Sequence, residues 1–435
     1  MSNPVEPDTQ FPRLGNLYEL ARPDLPEVPA LLHVDQERGL HLEVPFPAAS
    51  HEGSGRWFAR NGMECPETLL YQDHEMDLHL FGTYISSQGK DAEYQVGLGR
   101  LRADFAVEDR DRSDVEYSEV AATQSEIHGL HEFMAWRLAE FDFGDPEPGA
   151  ALLRVAPRTK IVVDEFDGFE VSLTAATWAG RDRPNVHAVG ETTLLRTRAQ
   201  EPRPLDDHLR IHEAVRDLLA VVCWKPLDFS EVKVQREDAP ARALAGNALG
   251  AAWRRLHNPT IRRATANQPY IELRFGDFLE PANFDSLGAE GLRTWLRRRE
   301  EFSRFTDPLL AFRFLPVITP EVALMQASIA AEALGYIQAI RAGVPEQKAA
   351  YEPLPSRLAR VVSGQPLHVE SIAFDAQHWL DAAVAAYHGV KHANKVLPSA
   401  PLPTLIALTM TTMLRSQLLL ELGVDNPPGW SRCIS

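Results

Sequence analysis

The stretch "TKIVVDEFDGFEVSLTAATW" (residues 159–178) decides the fold class of the N-terminal part of the chain. Apolar and polar residues alternate on both sides of Asp167-Gly168, as they do in strands with one buried face. Asp-Gly is a dipeptide that two-residue hairpin turns favour, because both central residues of a type I′ turn take positive φ. The stretch therefore predicts a β-hairpin.

The rest of residues 1–205 has the same character. Short alternating stretches, separated by turn residues, are further strand candidates: "ALLHVDQERGLHLEV" (30–44), "EMDLHLFGTYIS" (75–86), "YQVGLGRLRADFAV" (94–107) and "VHAVGETTLLRTRA" (186–199). A helical or mixed pattern occurs between them at "IHGLHEFMAWRLAEF" (127–141). Many short strands joined by turns indicate a sandwich or barrel-like module.

The pattern changes after residue 205. "RPLDDHLRIHEAVRDLLAVVCW" (203–224) has apolar residues at helical spacing. Strand candidates follow at 229–235 and 270–278, and then a helix candidate at 288–305. Residues 206–320 are therefore predicted to form a mixed α/β middle region.

Residues 321–435 are predicted to be helical throughout. Four helix candidates cover 319–343, 353–364, 374–398 and 401–424. The first has Thr319 as its cap and Pro320 at its first position. Short connections between helices favour an antiparallel bundle. The predicted fold class is α+β, with a β-rich N-terminal domain (1–205), the mixed middle region and this C-terminal helical bundle.

Charge and composition restrict the function. The chain has 435 residues and a net charge of −17. Residues 1–205 hold 19 Lys and Arg against 36 Asp and Glu, so the acidic excess lies there and nucleic acid should bind elsewhere. There is no apolar run of about 20 residues and no signal-peptide pattern, which predicts a cytoplasmic protein without a membrane partner. Three widely separated cysteines argue against a disulfide framework and against a clustered zinc site.

The strongest basic run in the sequence contains Arg297 and Arg298. It has two interpretations. The run is either a solvated helix face that is ion-paired with Glu300 and Glu301, or a surface that contacts RNA phosphates. Both interpretations stay open at this point.

The stretch "AYHGVKHANK" (386–395) holds the candidate chemistry. His388 and His392 are four residues apart, which places two imidazoles on one helix face. This is also the spacing of the zinc motif H-E-x-x-H. Gly389 stands where that motif has its general base, and Lys391 would repel a cation. We therefore predict no metal and no cofactor.

Metal-free RNA cleavage suits these residue types better. It needs a base for the ribose 2′-OH, an acid for the leaving oxygen and a cation beside the phosphate. His388 and His392 can supply the base and the acid, and Lys391 can supply the cation. A polar patch at a helix end, without chemistry, would have the same composition.

The C-terminal region resembles a HEPN domain in "AAEAL" (330–334) and "AYHGVKHANK". The HEPN signature is an arginine, usually followed by asparagine, with a histidine four to six residues further on. The whole chain resembles ApeA-like proteins of bacterial antiphage defence, which join a β-rich N-terminal domain to a HEPN ribonuclease. The supporting stretches are "LLHVDQERGLHLEV" (31–44), "EVAATQSEIHGLHEFMAWRL" (119–138) and "RPLDDHLRIHEAVRDLLAVV" (203–222).

The resemblance implies roles for individual residues. His392 matches the signature histidine, His388 falls at the polar position, and Glu332 matches an acidic position on the facing helix. Tyr387 stands where the arginine should be, so the guanidinium that would grip phosphate is absent from the motif. Lys391 or a residue of a second subunit would have to replace it.

Asn394 and Lys395, together with Tyr387, Arg297 and Arg298, are the candidate RNA contacts. The predicted function is a metal-independent HEPN-type endoribonuclease of an antiphage (abortive infection) system. Its expected partners are RNA, with tRNA among the candidate substrates, a second copy bound through the C-terminal bundle, and a phage-derived trigger at the N-terminal domain. The alternative is a non-catalytic RNA-binding or regulatory protein with a degenerate HEPN bundle. A zinc hydrolase is the third interpretation.

Overall fold

A computed structural model gives the architecture of the chain. It describes residues 12–35, 39–47, 53–58, 65–91, 96–109, 116–137, 139–142, 152–155, 159–183, 186–242, 247–257, 283–315, 318–364 and 375–425. The strand candidate at 270–278 lies outside these residues. No helix in the described ranges is long and apolar enough to cross a membrane.

Strands dominate the described residues up to 205, as predicted, and two more strands follow before residue 258. They are β1 (Arg13–Glu19), β2 (Val28–Asp35), β3 (Gly39–Pro47), β4 (Thr68–Gln72), β5 (Asp77–Asp91), β6 (Val96–Asp109), β7 (Glu119–Ile127), β8 (Ala139–Asp142), β9 (Leu152–Val155), β10 (Lys160–Phe166), β11 (Phe169–Arg183), β12 (Val186–Pro204), β13 (Phe229–Arg242) and β14 (Ala248–His257).

The hairpin predicted at 159–178 is confirmed as β10–β11. Phe166 pairs with Phe169 across a two-residue turn. Asp167 and Gly168 both have positive φ, 51° and 79°, as a type I′ turn requires. Local turn chemistry therefore sets the register of this strand pair.

Six strands close into a ring in the order β6-β3-β2-β1-β4-β5, because β5 also pairs with β6. Alternate residues of these strands point inward and form an apolar core that includes Leu17, Leu32, Leu42 and Tyr71. The short helix α1 (Gly55–Phe58) adds Trp57 to that core. This closed ring agrees with the predicted barrel-like module.

The ring continues into the remaining strands through β14, which pairs with both β6 and β13. The order beyond it is β10-β11-β12-β7-β13-β14. The strands of the predicted middle region therefore complete the N-terminal sheet. Helix α3 (Leu205–Cys223) packs on β12 and β7.

Helices make up the rest of the described chain. They are α2 (Leu130–Met134), α4 (Phe284–Arg297), α5 (Arg299–Arg313), α6 (Pro320–Arg341), α7 (Glu346–Ala350), α8 (Leu354–Ser363), α9 (Ala376–Lys391) and α10 (Pro401–Glu421). The predicted cap at Thr319 is confirmed, because its side chain accepts a hydrogen bond from the Val322 amide. The predicted helix at 288–305 is divided at Arg298 into α4 and α5. Helices α6, α8, α9 and α10 pack on one another.

Candidate functional site

Helix α9 positions the candidate site at its C-terminal end. Asp375 caps its N-terminus by accepting a hydrogen bond from the Gln377 amide. Trp379, Ala383 and Tyr387, four residues apart, are buried and fix the face that packs against the neighbouring helices. The residues that follow Tyr387 are thereby placed at the end of a firmly packed helix.

The two histidines lie next to each other at this end. Helix α9 ends at Lys391, and His392 is the cap residue with extended backbone angles. The amide of His392 still donates to the carbonyl of His388 at 3.0 Å. The ring centroids are 5.6 Å apart, with His388 half-buried and His392 exposed. The expected neighbourhood of the imidazoles is present, although His392 lies just beyond the helix.

Gly389 has a packing role here. A Cβ atom at this position would overlap the carbonyl oxygen of Val396 and would lie 3.0 Å from Cδ of Pro398. The segment after the helix therefore folds back across Gly389. The glutamate of an H-E-x-x-H motif would not fit at this position, so the geometry explains why the sequence departs from the zinc motif.

Lys391 is held by Tyr387. Its ammonium group donates a hydrogen bond to the Tyr387 hydroxyl at 2.9 Å and lies 5.0 Å from the centre of the ring. This hydrogen bond raises the pKa of Lys391, and the charge of Glu332 raises it further. The lysine therefore stays protonated at neutral pH, as a phosphate-binding cation must.

Glu332, on α6, forms its direct ion pair with a residue that the sequence analysis missed. Its carboxylate lies 2.8 Å from Nη1 of Arg357 on α8. Nη2 of Arg357 donates to the carbonyls of Ala349 and Ala350, and the side chain is 11% exposed. Both terminal nitrogens are thus in use within the fold, so Arg357 does not supply an accessible phosphate fork.

The proposed RNA contacts differ in accessibility. Tyr387 is only 5% exposed and belongs to the main hydrophobic core, so it offers little surface to a base. Asn394 and Lys395 are exposed in the turn after α9. The amide of Lys395 donates to the His392 carbonyl, which fixes that turn.

The arginine run lies in a different environment. Helix α4 packs against β10 and α3, whereas α9 packs against α6, α8 and α10. Arg297 forms a two-pronged ion pair with Asp164 of β10, both contacts at 2.7 Å. Arg298 pairs with Glu301 at 2.8 Å and also contacts Glu421 of α10. These carboxylates would compete with RNA phosphates for the two guanidinium groups.

Groups that are capable of acid–base chemistry lie together at the end of α9. The site brings together two imidazoles and one ammonium group, and the charge of a carboxylate acts on the ammonium. The ionisable side chains His388, His392 and Lys391 are of the kinds that can transfer a proton or stabilise a developing negative charge. Arg357 could not be found from the motif, because it is 35 residues before His392 and reaches Glu332 only through the packing of α8 on α6.

Comparison with protein families gives a match for the N-terminal part of the chain. The model of the family described as ApeA N-terminal domain 1 matches residues 16–279, a range that begins inside β1 and includes β2 to β14 and helix α3. No curated protein and no solved structure matches the chain.

Proposed function

This chain belongs to the ApeA N-terminal domain 1 family, a family of antiphage defence, and from that membership we propose that it is a defence protein whose C-terminal helices form a metal-independent, HEPN-type endoribonuclease. The family match covers the N-terminal region and helix α3. The enzymatic part of the proposal rests on the residues at the end of α9.

The observation that carries the proposal is the cluster of His388, Lys391 and His392. His392, the more exposed imidazole, acts as base or acid, and His388 acts as its partner. Lys391 stabilises the charge that develops on the phosphate. Glu332 acts on Lys391 through its charge, with Arg357 holding the carboxylate in place.

The protein acts in the cytoplasm as a homodimer, and RNA, including tRNA, is its substrate. One α9 end offers a one-sided phosphate site, and a two-fold axis pairs two such ends in one groove. Asn394 and Lys395 contact the RNA backbone beside the histidines. The N-terminal domain receives a phage-derived trigger and restrains the nuclease in its absence.

A second function is favoured by two specific observations. The motif arginine is replaced by the buried Tyr387, and both terminal nitrogens of Arg357 are engaged within the fold. A non-catalytic RNA-binding or regulatory protein would keep the histidines only to cover the end of α9. This reading requires RNA binding or regulation without cleavage.

RNA digestion in EDTA tests the proposed function. The parent protein should cleave RNA in the chelator, and His392→Ala should lower the rate by about 100-fold, as expected for loss of a general acid or base. His388→Ala should lower it less. Cleavage that disappears in EDTA would instead support a metal-dependent hydrolase.

The matched control is His378→Ala. His378 lies on the same helix, in its first turn, and its side chain is 84% exposed. The His378→Ala variant should cleave RNA at the parental rate. If folded His392→Ala also cleaves at the parental rate, the His392 imidazole has no catalytic role. If the parent protein cleaves no RNA under any trigger condition, the non-catalytic function is favoured.

A further inference from the structure

A second cluster of ligand-type side chains lies far along the chain from α9, on strands β2 and β3. His33 is directly opposite His41 in the antiparallel pair, and Glu43 is two residues further along the same face. The neighbouring residues Leu32 and Leu42 point into the core of the ring. Because side chains alternate along a strand, the two histidines and the glutamate share the outer face of the β2–β3 pair.

The three side chains converge. The two imidazole rings stack with their centroids 4.9 Å apart and their planes 5° from parallel. One ligand atom of each residue, two ring nitrogens and a carboxylate oxygen, lies within 4.8 Å of the others. Nε2 of His33 is buried, is 3.5 Å from the Glu43 carboxylate, and has no hydrogen-bond partner among the described residues.

Arg100 fixes the carboxylate. It lies opposite Glu43 on β6 and donates to Oε1 at 2.7 Å, whereas the contact to His33 is made by Oε2. Carboxylates that bind metals are commonly held in this way by a hydrogen bond to the other oxygen. The arrangement leaves one oxygen of Glu43 directed towards the imidazoles.

We propose that His33, His41 and Glu43 bind one divalent first-row transition ion, with Zn²⁺ as the representative, and that the ion fastens β2 to β3. Two imidazoles and one carboxylate are a donor set for zinc and its neighbours, whereas Mg²⁺ and Ca²⁺ prefer oxygen alone. Zinc bonds of about 2.0–2.2 Å place neighbouring donors roughly 3.3 Å apart. Side-chain rotations that move the ligand atoms by about 1–1.5 Å would therefore bring them to bonding distance of one ion, and water would complete the coordination.

The nearby charges decide between a cation and an anion. Arg102 lies opposite His41 on β6, so two arginines border the cluster. The charge of Arg100 is matched by Glu43 through their ion pair. The Glu43 carboxylate at the centre of the cluster would repel an anion. A cation would instead be attracted by this carboxylate and could bind the unpartnered nitrogen of His33. The remaining charge of Arg102 weakens cation binding without preventing it.

Metal titration of the full chain tests the proposal. Chelator-treated, dialysed protein is titrated with Zn²⁺ by calorimetry, and Co²⁺ binding is followed by its visible absorption. The parent should bind one ion per chain, and His33→Ala and Glu43→Gln should each weaken that binding by at least about tenfold, within the range known for loss of ligand-shell groups. His74→Ala, which removes an 80% exposed histidine in the turn between β4 and β5, should leave zinc binding unchanged.

Two further variants give the proposal a sharp failure condition. The double variant His388→Ala/His392→Ala should still bind one ion, because its histidines lie in the C-terminal region. Arg102→Gln should tighten zinc severalfold by removing a like charge. Three results would each overturn the proposal. The first is a parent protein that binds no zinc at micromolar concentration, and the second is zinc binding that survives in His33→Ala and Glu43→Gln. The third is an Arg102→Gln variant that loses binding of inorganic phosphate while its zinc affinity equals that of the parent.

Discussion

Tyr387 connects the candidate site to the hydrophobic core. It stands at the position of the signature arginine, but its ring is 5% exposed and its hydroxyl accepts a hydrogen bond from Lys391. An arginine placed here would enter the core instead of reaching a phosphate. Burial of a charge without a partner costs several kcal/mol, so the position requires an apolar body with a polar tip.

The buried environment of Tyr387 predicts that two substitutions at this position differ in their effect on stability. Tyr387→Arg should lower the free energy of unfolding by roughly 2–4 kcal/mol, because it buries an unpaired guanidinium. Tyr387→Phe keeps the packing and should melt within a few degrees of the parent. Thermal unfolding measures both. The control is Tyr351→Arg at an 83% exposed position, which should be neutral, and a Tyr387→Arg variant as stable as the parent would contradict the buried placement.

A second residue-scale feature is a buried hydrogen-bond chain between α3 and the sheet. The Val120 carbonyl can only accept, so Nε2 of His208 donates to it at 3.2 Å. Thr197 then donates to Nδ1 of His208 at 2.8 Å and accepts from Nε2 of His212 at 3.0 Å. Ser125 donates to Nδ1 of His212 at 2.6 Å. Every polar atom in this chain is satisfied with both imidazoles neutral.

Acid should weaken the fold through these histidines. Burial lowers the pKa of His208 to about 4 and that of His212 to about 3. An unfolded histidine titrates near 6.5, so below that pH the unfolded chain binds more protons and the free energy of unfolding falls. The loss at pH 5 should be about 2 kcal/mol for each histidine. Urea unfolding at pH 7.5 and pH 5 measures it.

The matched comparison is the double variant His208→Gln/His212→Gln. Glutamine can donate and accept as neutral histidine does, but it cannot be protonated in this range. Its pH dependence should be flatter than that of the parent, even if its stability at pH 7.5 is lower. Equal pH dependence in both proteins would show that other groups, such as carboxylates, cause the acid sensitivity.

At the scale of elements, local signals were sufficient where one short stretch determines the backbone. Asp167-Gly168 predicts its turn because the required φ values are a property of those two residues. Thr319 and Pro320 predict the start of α6 for a similar reason. The end of α9 could not be predicted from such signals. The expected helix ended just before Pro398, whereas in the structure α9 ends at Lys391 and the later segment contacts Gly389.

Gly389 should therefore control the geometry of the site without taking part in the chemistry. Gly389→Ala places a methyl group against the backbone of Val396, which cannot move as a flexible side chain would, so the segment carrying His392 must shift. RNA cleavage should fall at least about tenfold, with a stability loss of roughly 1–3 kcal/mol from overpacking. Cleavage assays and thermal melts measure the two effects.

Gly364→Ala is the control, because the nearest neighbouring atom to its added Cβ would be 3.5 Å away, an ordinary contact. It lies at the end of α8 and should retain both cleavage and stability. A Gly389→Ala variant that cleaves and melts like the parent would contradict the packing of the segment across α9.

At the scale of the whole molecule, the sequence indicated a sandwich or barrel-like module but could not predict which strands close the ring. The pairing of β5 with β6, and that of β14 with β6, join residues far apart in sequence. The domain division at 205 and 320 stays a prediction. Across the boundary at 205, β13 and β14 of the middle region pair with strands of the N-terminal region. Long-range pairing is not encoded in local alternation, which determines only which face of each strand is apolar.

Apolar residues exposed on α6 and α10 lead to the last prediction. Val322 and Ile329 are each 41% exposed, and Leu405 and Leu408 are 54% and 39% exposed. The two helices pack on each other. Burial of these side chains by a second copy would remove apolar surface from water and bring two α9 ends under one two-fold axis. Light scattering after size exclusion should give about twice 48.6 kDa at micromolar concentration.

The double variant Leu405→Glu/Leu408→Glu should elute as a monomer, because like charges would meet in the interface. Both positions are exposed in the single chain, so its thermal stability should change little apart from the loss of dimerisation. Val396→Glu, at a 90% exposed apolar position outside these two helices, should remain dimeric. If the active site requires two α9 ends, RNA cleavage should disappear together with the dimer. A monomeric variant with full activity would show that each chain is catalytically complete, and a monomeric parent would remove the proposed interface.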